Sequence, residues 1–329
     1  MEFPDRLQNA WSQANEENFE ELALALFQFQ AKHTEVYKQY LYHLGCEPQG
    51  IKTLAEVPFL PIRFFKDQEV TAGAYTPEAV FESSGTTGQI PSRHQVFSIA
   101  HYHQVCLAGF LRHFGPPQGY HIFALLPSYL ERNNASLVSM MDFLIQQSNS
   151  PLGGFYLNDL PTLIAQVEEA RKTDRKVLIV GVTFALLDLA ENYPQQWSDV
   201  EVLETGGMKG RRREMLRTEL HEILREGLGV QNVLSEYGMT ELMSQGYTGG
   251  GEEFFLPPWL HVRLRDLNDP FSPVPQGRAG GINVVDLANW HSCAFIETQD
   301  IGRYGSNGGF LVLGRFDHSD LRGCNLMVQ

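Results

Sequence analysis

Cysteine is scarce in this chain: Cys46, Cys106, Cys293 and Cys324 are the four in 329 residues. No two stand at C-x-x-C spacing and no cysteine pair precedes a spaced histidine pair, so neither a zinc site nor a disulfide framework is indicated. Such usage fits a reducing compartment. A run of about 18 apolar residues is lacking, which argues against a spanning helix. The opening stretch MEFPDRLQNAWSQANEE has no apolar core of a signal peptide. Positive charge is also in deficit, with 25 Lys and Arg against 39 Asp and Glu, a net −14. A surface of that sign repels nucleic-acid phosphates. The Walker pattern G-x-x-x-x-G-K-[ST] and the zinc pattern H-E-x-x-H are missing as well. A cytoplasmic protein without nucleic acid or membrane span is expected.

What is present reads as an α/β chain. Phe19, Leu22, Leu26, Phe29, His33, Val36, Tyr37 and Leu41 recur at three- and four-residue steps, predicting one long helix over 14–44 that Gly45 and Pro48 end. Residues 57–67, VPFLPIRFFKD, are punctuated by proline and predict an extended segment. From about 120, apolar strand candidates (121–126, 176–181, 200–207, 231–238) alternate with helical patterns (134–147, 159–172, 182–191, 209–226). That alternation predicts β-α-β units around a mostly parallel sheet. After 250 the pattern turns to short strands (261–267, 280–287, 293–298, 309–315), expected to form a smaller β-rich subdomain. The division expected is a helical arm 1–50, an α/β body 51–250, a β-rich part 251–318 and a tail 319–329.

Three unusual segments, LETGGMKG, LSEYGMTE and FIETQDIG, fall where ligands of parallel sheets bind, beyond the carboxyl ends of strands, and two further segments, around Ser83 and Arg315, also carry chemistry. Ser83, Ser84, Gly85, Thr86, Thr87 and Gly88, followed by Ser92 and Arg93, combine glycine, hydroxyl and cation in a way that can surround phosphate oxygens. Alone, they would be an ordinary Ser/Thr/Gly turn. Glu236, Tyr237, Gly238, Thr240 and Glu241 follow an apolar run and can stack a base, contact phosphate and hold Mg²⁺; the plainer reading is a capped turn. Asp300 could accept hydrogen bonds from ribose hydroxyls, and Arg315, 15 residues on, could reach the same sugar or a phosphate. Gly206 and Gly207 lie in a third strand-end segment, LETGGMKG.

Taken in order, SSGTTG, LETGGMKG, YGMTE, TQDIG and GRFD resemble the core motifs of the acyl-adenylate-forming superfamily, which includes acyl-CoA ligases and the adenylation domains of peptide synthetases. A narrower resemblance, carried by FLPIRFFK (59–66), SSGTTG with SRH, LPSYLERNNASLVSM (126–140) and the terminal LRGCNLMVQ, is to the LuxE-type acyl-protein synthetases of bacterial fatty-acid reductase complexes. It spans nearly the whole chain. It implies the large-domain fold of that superfamily, ATP and Mg²⁺ as cofactors, with Glu241 on the metal, and a fatty or other carboxylic acid as substrate. By the same resemblance Thr86 and Arg93 act on the phosphates and Cys324 is the acyl acceptor. Here Ser92-Arg93 stands where the superfamily's loop has lysine, and the chain stops 12 residues after Asp317, where ligases of the superfamily continue into a C-terminal domain with a catalytic lysine.

Chemistry is compatible with Cys324 as nucleophile, since a neighbouring arginine favours thiolate and a preceding glycine frees the tail. Two other functions fit the same motifs: a phenylacetate-CoA-ligase-like acyl-CoA synthetase completed by a separate domain, and a non-catalytic acyl- or nucleotide-binding relative. His94, His101, His103, His113 and His121 read as core or solvated histidines rather than a metal cluster, with His94, beside the loop, the candidate for a site residue. Lys209, Arg211, Arg212, Arg213 and Arg217 form a basic cluster that could dock an acyl carrier protein or an acyl-CoA-reductase-like subunit.

Overall fold

A computed structural model describes residues 4–83, 90–126, 134–157, 159–206, 215–275 and 277–316. Strands β1 (Leu60–Pro61), β2 (Ala79–Glu82), β3 (Arg93–Val96), β4 (Tyr120–Leu125), β5 (Gly154–Tyr156), β6 (Lys176–Val182), β7 (Val200–Thr205) and β8 (Val233–Tyr237) are followed by β9 (Gly246–Thr248), β10 (Phe254–Phe255), β11 (Leu260–Arg265), β12 (Gly280–Asp286), β13 (Phe295–Tyr304) and β14 (Phe310–Arg315). All but β2 and β3 join one sheet, ordered β11-β12-β13-β14-β10-β9-β8-β7-β6-β4-β5, with β1 added parallel to β13.

The segment β5-β4-β6-β7-β8 is parallel throughout, as the alternating pattern predicts. Helices Ser136–Ser148, Leu160–Ala170, Thr183–Asn192 and Arg217–Leu228 make the crossovers. A parallel sheet is covered on both faces, so its strands need apolar side chains on both. Every residue of β4 is buried, as is every residue of β6 after Lys176. Each such Val, Leu, Ile or Phe contributes about 1.5–3 kcal/mol on burial.

The helix expected over 14–44 is two helices, Phe19–His33 and Glu35–His43. Thr34 between them is extended, and its hydroxyl donates to the Ser292 carbonyl at 3.0 Å. Upstream, the buried Gln30 amide donates to the Asn289 and Trp290 carbonyls and accepts from the Ala294 N–H. Tertiary hydrogen bonds at Gln30 and Thr34 therefore override the helical period. Within 57–67, the extended course holds through β1 but Phe64–Asp67 closes a helical turn.

The antiparallel strands after 250 continue the same sheet through β14-β10-β9-β8, and the seam is narrow. Phe254 of β10 pairs with Phe310 of β14 on one side and Thr248 of β9 on the other.

Candidate active site

In sequence, the glycine-hydroxyl segment joins strands β2 and β3. Strands β2 and β3 pair antiparallel, with Glu82 opposite Arg93. Beyond that pair Ser83 N–H donates to the Ser92 carbonyl at 3.0 Å, and Ser92 N–H donates to the Ser83 hydroxyl at 2.8 Å. Ser84, Gly85, Thr86, Thr87 and Gly88 lie outside the described residues, as do Gly207 and Cys324. Arg93 is exposed at the mouth of the hairpin.

Gly206 follows β7 with φ of +73°, a conformation glycine adopts without steric cost. Its carbonyl accepts from the Thr183 hydroxyl at 2.8 Å. One strand over, β8 ends in Glu236 and Tyr237, so the carboxyl ends of two neighbouring parallel strands carry site candidates, where bound ligands are expected in such sheets. Alternation along β8 sends these two side chains to opposite faces.

Tyr237 is buried, and its hydroxyl donates to Asp300 Oδ2 at 3.0 Å. Asp300 is opposite Arg315 in the β13-β14 ladder, and Arg315 Nε meets Asp300 Oδ1 at 3.2 Å. Burial pushes the Asp300 carboxyl up, opposed by Arg315, the Tyr237 hydroxyl and Arg265. The Arg315 side chain is 69% exposed while that of Asp300 is only 12% exposed, so the pair presents a carboxylate below and a solvated guanidinium above. Four strand spacings separate β13 from β8 along the sheet, roughly 19 Å if it were flat. A 3.0 Å hydrogen bond across that gap requires the sheet to curl over at the narrow β10 seam. Asp300 was expected beyond a strand ending at 298; β13 instead runs through Tyr304, with its register shifted between Ile301 and Gly302.

Beneath Asp300 lies Arg265, 7% exposed, which donates to the Ile282 and Thr298 carbonyls and to Asn283 Oδ1. A side chain on Gly281 would stand 2.5 Å from the Arg265 guanidinium carbon, so glycine there makes room for the cation. Spacing alone did not reveal this arginine. Its signal was a basic residue closing a strand, two places after Arg263.

The turn after Tyr237 closes with Leu242 N–H donating to the Met239 carbonyl. Glu241 is buried and its carboxyl is pushed up by burial, partly offset by a hydrogen bond from Ser92 and by Arg315. The Ser92–Glu241 contact joins the hairpin to this turn. A buried carboxylate opposed only partly by protein donors fits a divalent cation, whose charge would favour the ionised form.

On the other face, Glu236 accepts from the Thr205 hydroxyl, and burial together with Glu204 pushes its carboxyl up to about 7. A carboxyl with a folded-state value above its ordinary 4.5 stabilises the fold below 4.5, and that stability is lost as pH rises through 7. Glu236→Gln is therefore expected to flatten the fall in stability between pH 4.5 and 7, by up to about 3 kcal/mol, in denaturant titrations at a series of pH values.

Arg217 departs from the expected basic surface. Its guanidinium lies 4.5 Å over the Phe254 ring and 3.7 Å from Glu204, with the side chain 21% exposed. Of that cluster, Lys209 and Arg211 to Arg213 lie outside the described residues.

No protein-family model matches the chain. A curated relative is the long-chain-fatty-acid–luciferin-component ligase of Aliivibrio fischeri, 20% identical over 320 residues, covering 89% of this chain and 81% of that protein. Among solved structures, 2-hydroxyisobutyryl-CoA ligase in its postadenylation state superposes with a TM-score of 0.67 at 14% identity, over 92% of this chain and 69% of that one. ATP-bound MatB from Rhodopseudomonas palustris gives a TM-score of 0.54 at 17% identity, over 74% of this chain and 49% of that one. The chain thus has the fold of these adenylate-forming ligases and is similar in sequence to a fatty-acid–luciferin-component ligase.

Proposed function

We propose that this protein uses ATP to activate a carboxylic acid, of the fatty-acid class, and passes the acyl group to the Cys324 thiol. The observation that carries the reading is the meeting of Tyr237, Asp300 and Arg315 from three strands, joined through Ser92 and Glu241 to the hairpin that bears the Ser84–Gly88 loop. That arrangement supports a reading in which Asp300 takes ribose hydroxyls, Tyr237 forms an aromatic wall, Arg315 offers a guanidinium, and the segment joining β2 to β3 binds phosphate.

In the first step the substrate carboxylate oxygen attacks the α-phosphorus, and the bond to pyrophosphate breaks. Arg93 and the loop, with Thr86, stabilise the charge that builds on the phosphate oxygens through fixed donors rather than covalent chemistry. Mg²⁺ held at Glu241 would screen phosphate charge. In the second step the Cys324 thiolate attacks the acyl carbonyl, forming the thioester as the bond to AMP breaks. Positioning suffices, because an acyl-adenylate is already a reactive donor. The thioester then passes to a partner of the acyl-CoA-reductase or acyl-carrier class.

The relative's fatty-acid name supports the substrate class. A second reading, with coenzyme A as acceptor, is favoured by the fold's likeness to a CoA ligase crystallised with 2-HIB-AMP and CoA. Intact-mass spectrometry after incubation with ATP, Mg²⁺ and a mixture of fatty acids separates the two. A mass gain of one acyl group on the protein supports self-acylation. AMP release that depends on added CoA, with no mass gain, supports the second reading, and no AMP or pyrophosphate chemistry with any acid rejects both.

A further inference from the structure

The histidine that follows Arg93 is fully buried and sits between the two halves of the site. His94 Nδ1 lies 2.9 Å from the Thr240 carbonyl and Nε2 lies 3.2 Å from Asn289 Oδ1. The Asn289 amide cannot turn to present its nitrogen, because Nδ2 already donates to the Glu241 and Cys293 carbonyls at 2.8 and 2.9 Å. Both ring nitrogens therefore face oxygens that only accept. Burial draws the ring's pKa down to about 4, so it is neutral and carries one N–H. The shorter contact places that proton on Nδ1, directed at Thr240.

The ring's orientation is set by packing. His291 stacks on it at 5.4 Å with the planes 4° apart, and Phe65 meets it edge-on at 5.9 Å. Neither ring nitrogen of His291 has a hydrogen-bond partner among the described residues, so His291 serves as an apolar plate. Two residues before His94 on the same hairpin edge, Ser92 donates to the Glu241 carboxylate. The hairpin that carries the loop is thus tied to consecutive residues of the turn, once through a side chain and once through a carbonyl.

We propose that His94 is a positioning residue whose Nδ1–H bond to Thr240 holds the loop-bearing hairpin against the Tyr237–Glu241 turn, so that it sets the affinity for ATP and not for the acid. This rests on the nucleotide reading above. The amide of asparagine places its nitrogen where the imidazole has Nδ1, and that of glutamine where it has Nε2. His94→Asn preserves the tie to Thr240; His94→Gln preserves only the contact with Asn289. Both lose the stack on His291.

The test is acid-dependent ATP–pyrophosphate exchange by the full chain, with KM measured separately for ATP and for the acid. A KM does not depend on the folded fraction, so partial misfolding does not obscure the comparison. His94→Gln is expected to raise the KM for ATP about tenfold, the equivalent of one hydrogen bond. His94→Asn is expected to raise it less than about threefold, and the KM for the acid to move less than about twofold in both. Equal ATP shifts in the two variants, the reverse order, or an equal rise for the acid would overturn the tie while leaving the nucleotide reading intact. Wild-type protein that neither exchanges pyrophosphate nor binds ATP would overturn both.

Discussion

Asp300→Ala is expected to lower kcat/KM for ATP in pyrophosphate exchange by about a hundredfold. The carboxylate receives the Tyr237 hydroxyl on one oxygen and the Arg315 guanidinium on the other. A hydrogen bond to a charged group contributes about 1.5–3 kcal/mol, and removing the shared acceptor strands a buried phenol as well. The Arg315 contact counts for less because that side chain is largely solvated. A net loss near 3 kcal/mol converts to roughly two decades. Asp300→Asn, which keeps the shape and one acceptor but loses the charge, should fall between. If neither variant changes ATP affinity by more than about threefold while the protein stays folded, the three strands converge for structural reasons and the nucleotide lies elsewhere.

Replacing the tail thiol should have an all-or-none effect. With Cys324→Ala, radioactivity from labelled fatty acid retained on the protein is expected to fall to background, while exchange of pyrophosphate continues. No other cysteine is suited to take over. Burial pushes the thiols of Cys106 and Cys293 up, the latter to about 12, and raises that of half-buried Cys46 as well. A thiol held protonated is a poor nucleophile. Label retained in the alanine variant would place the acceptor at another residue.

Strands β4 and β6 were legible because burial on both faces demands nearly unbroken apolar runs, and the crossover helices because a one-sided stripe repeats every three to four residues. The two-residue β10 and three-residue β9 leave no periodic trace, yet they set the curl that brings Tyr237 to Asp300. The break at Thr34 was illegible for a related reason: its partner, the Ser292 carbonyl, is 258 residues away. At the site, residue types and their order pointed to Tyr237, Asp300, Arg315 and Glu241, because each is chemically unusual at a strand end. His94 stood out only by its place beside the loop. Its partners Thr240 and Asn289 are 146 and 195 residues distant, and nothing in local spacing announces them. Arg217 shows the opposite hazard, since a cation in a basic run turns inward to an aromatic face and a carboxylate.

The curled seam at Phe254 also bears on how the molecule comes apart. The strands on its two sides share only a few backbone pairings there, so each half can breathe with its own opening free energy. Tyr237 and Asp300 sit on opposite sides of that joint. A nucleotide gripping both would act as a staple across it, and slowed amide exchange should spread outward from β9 and β10 when ATP is present, reaching residues the nucleotide never touches.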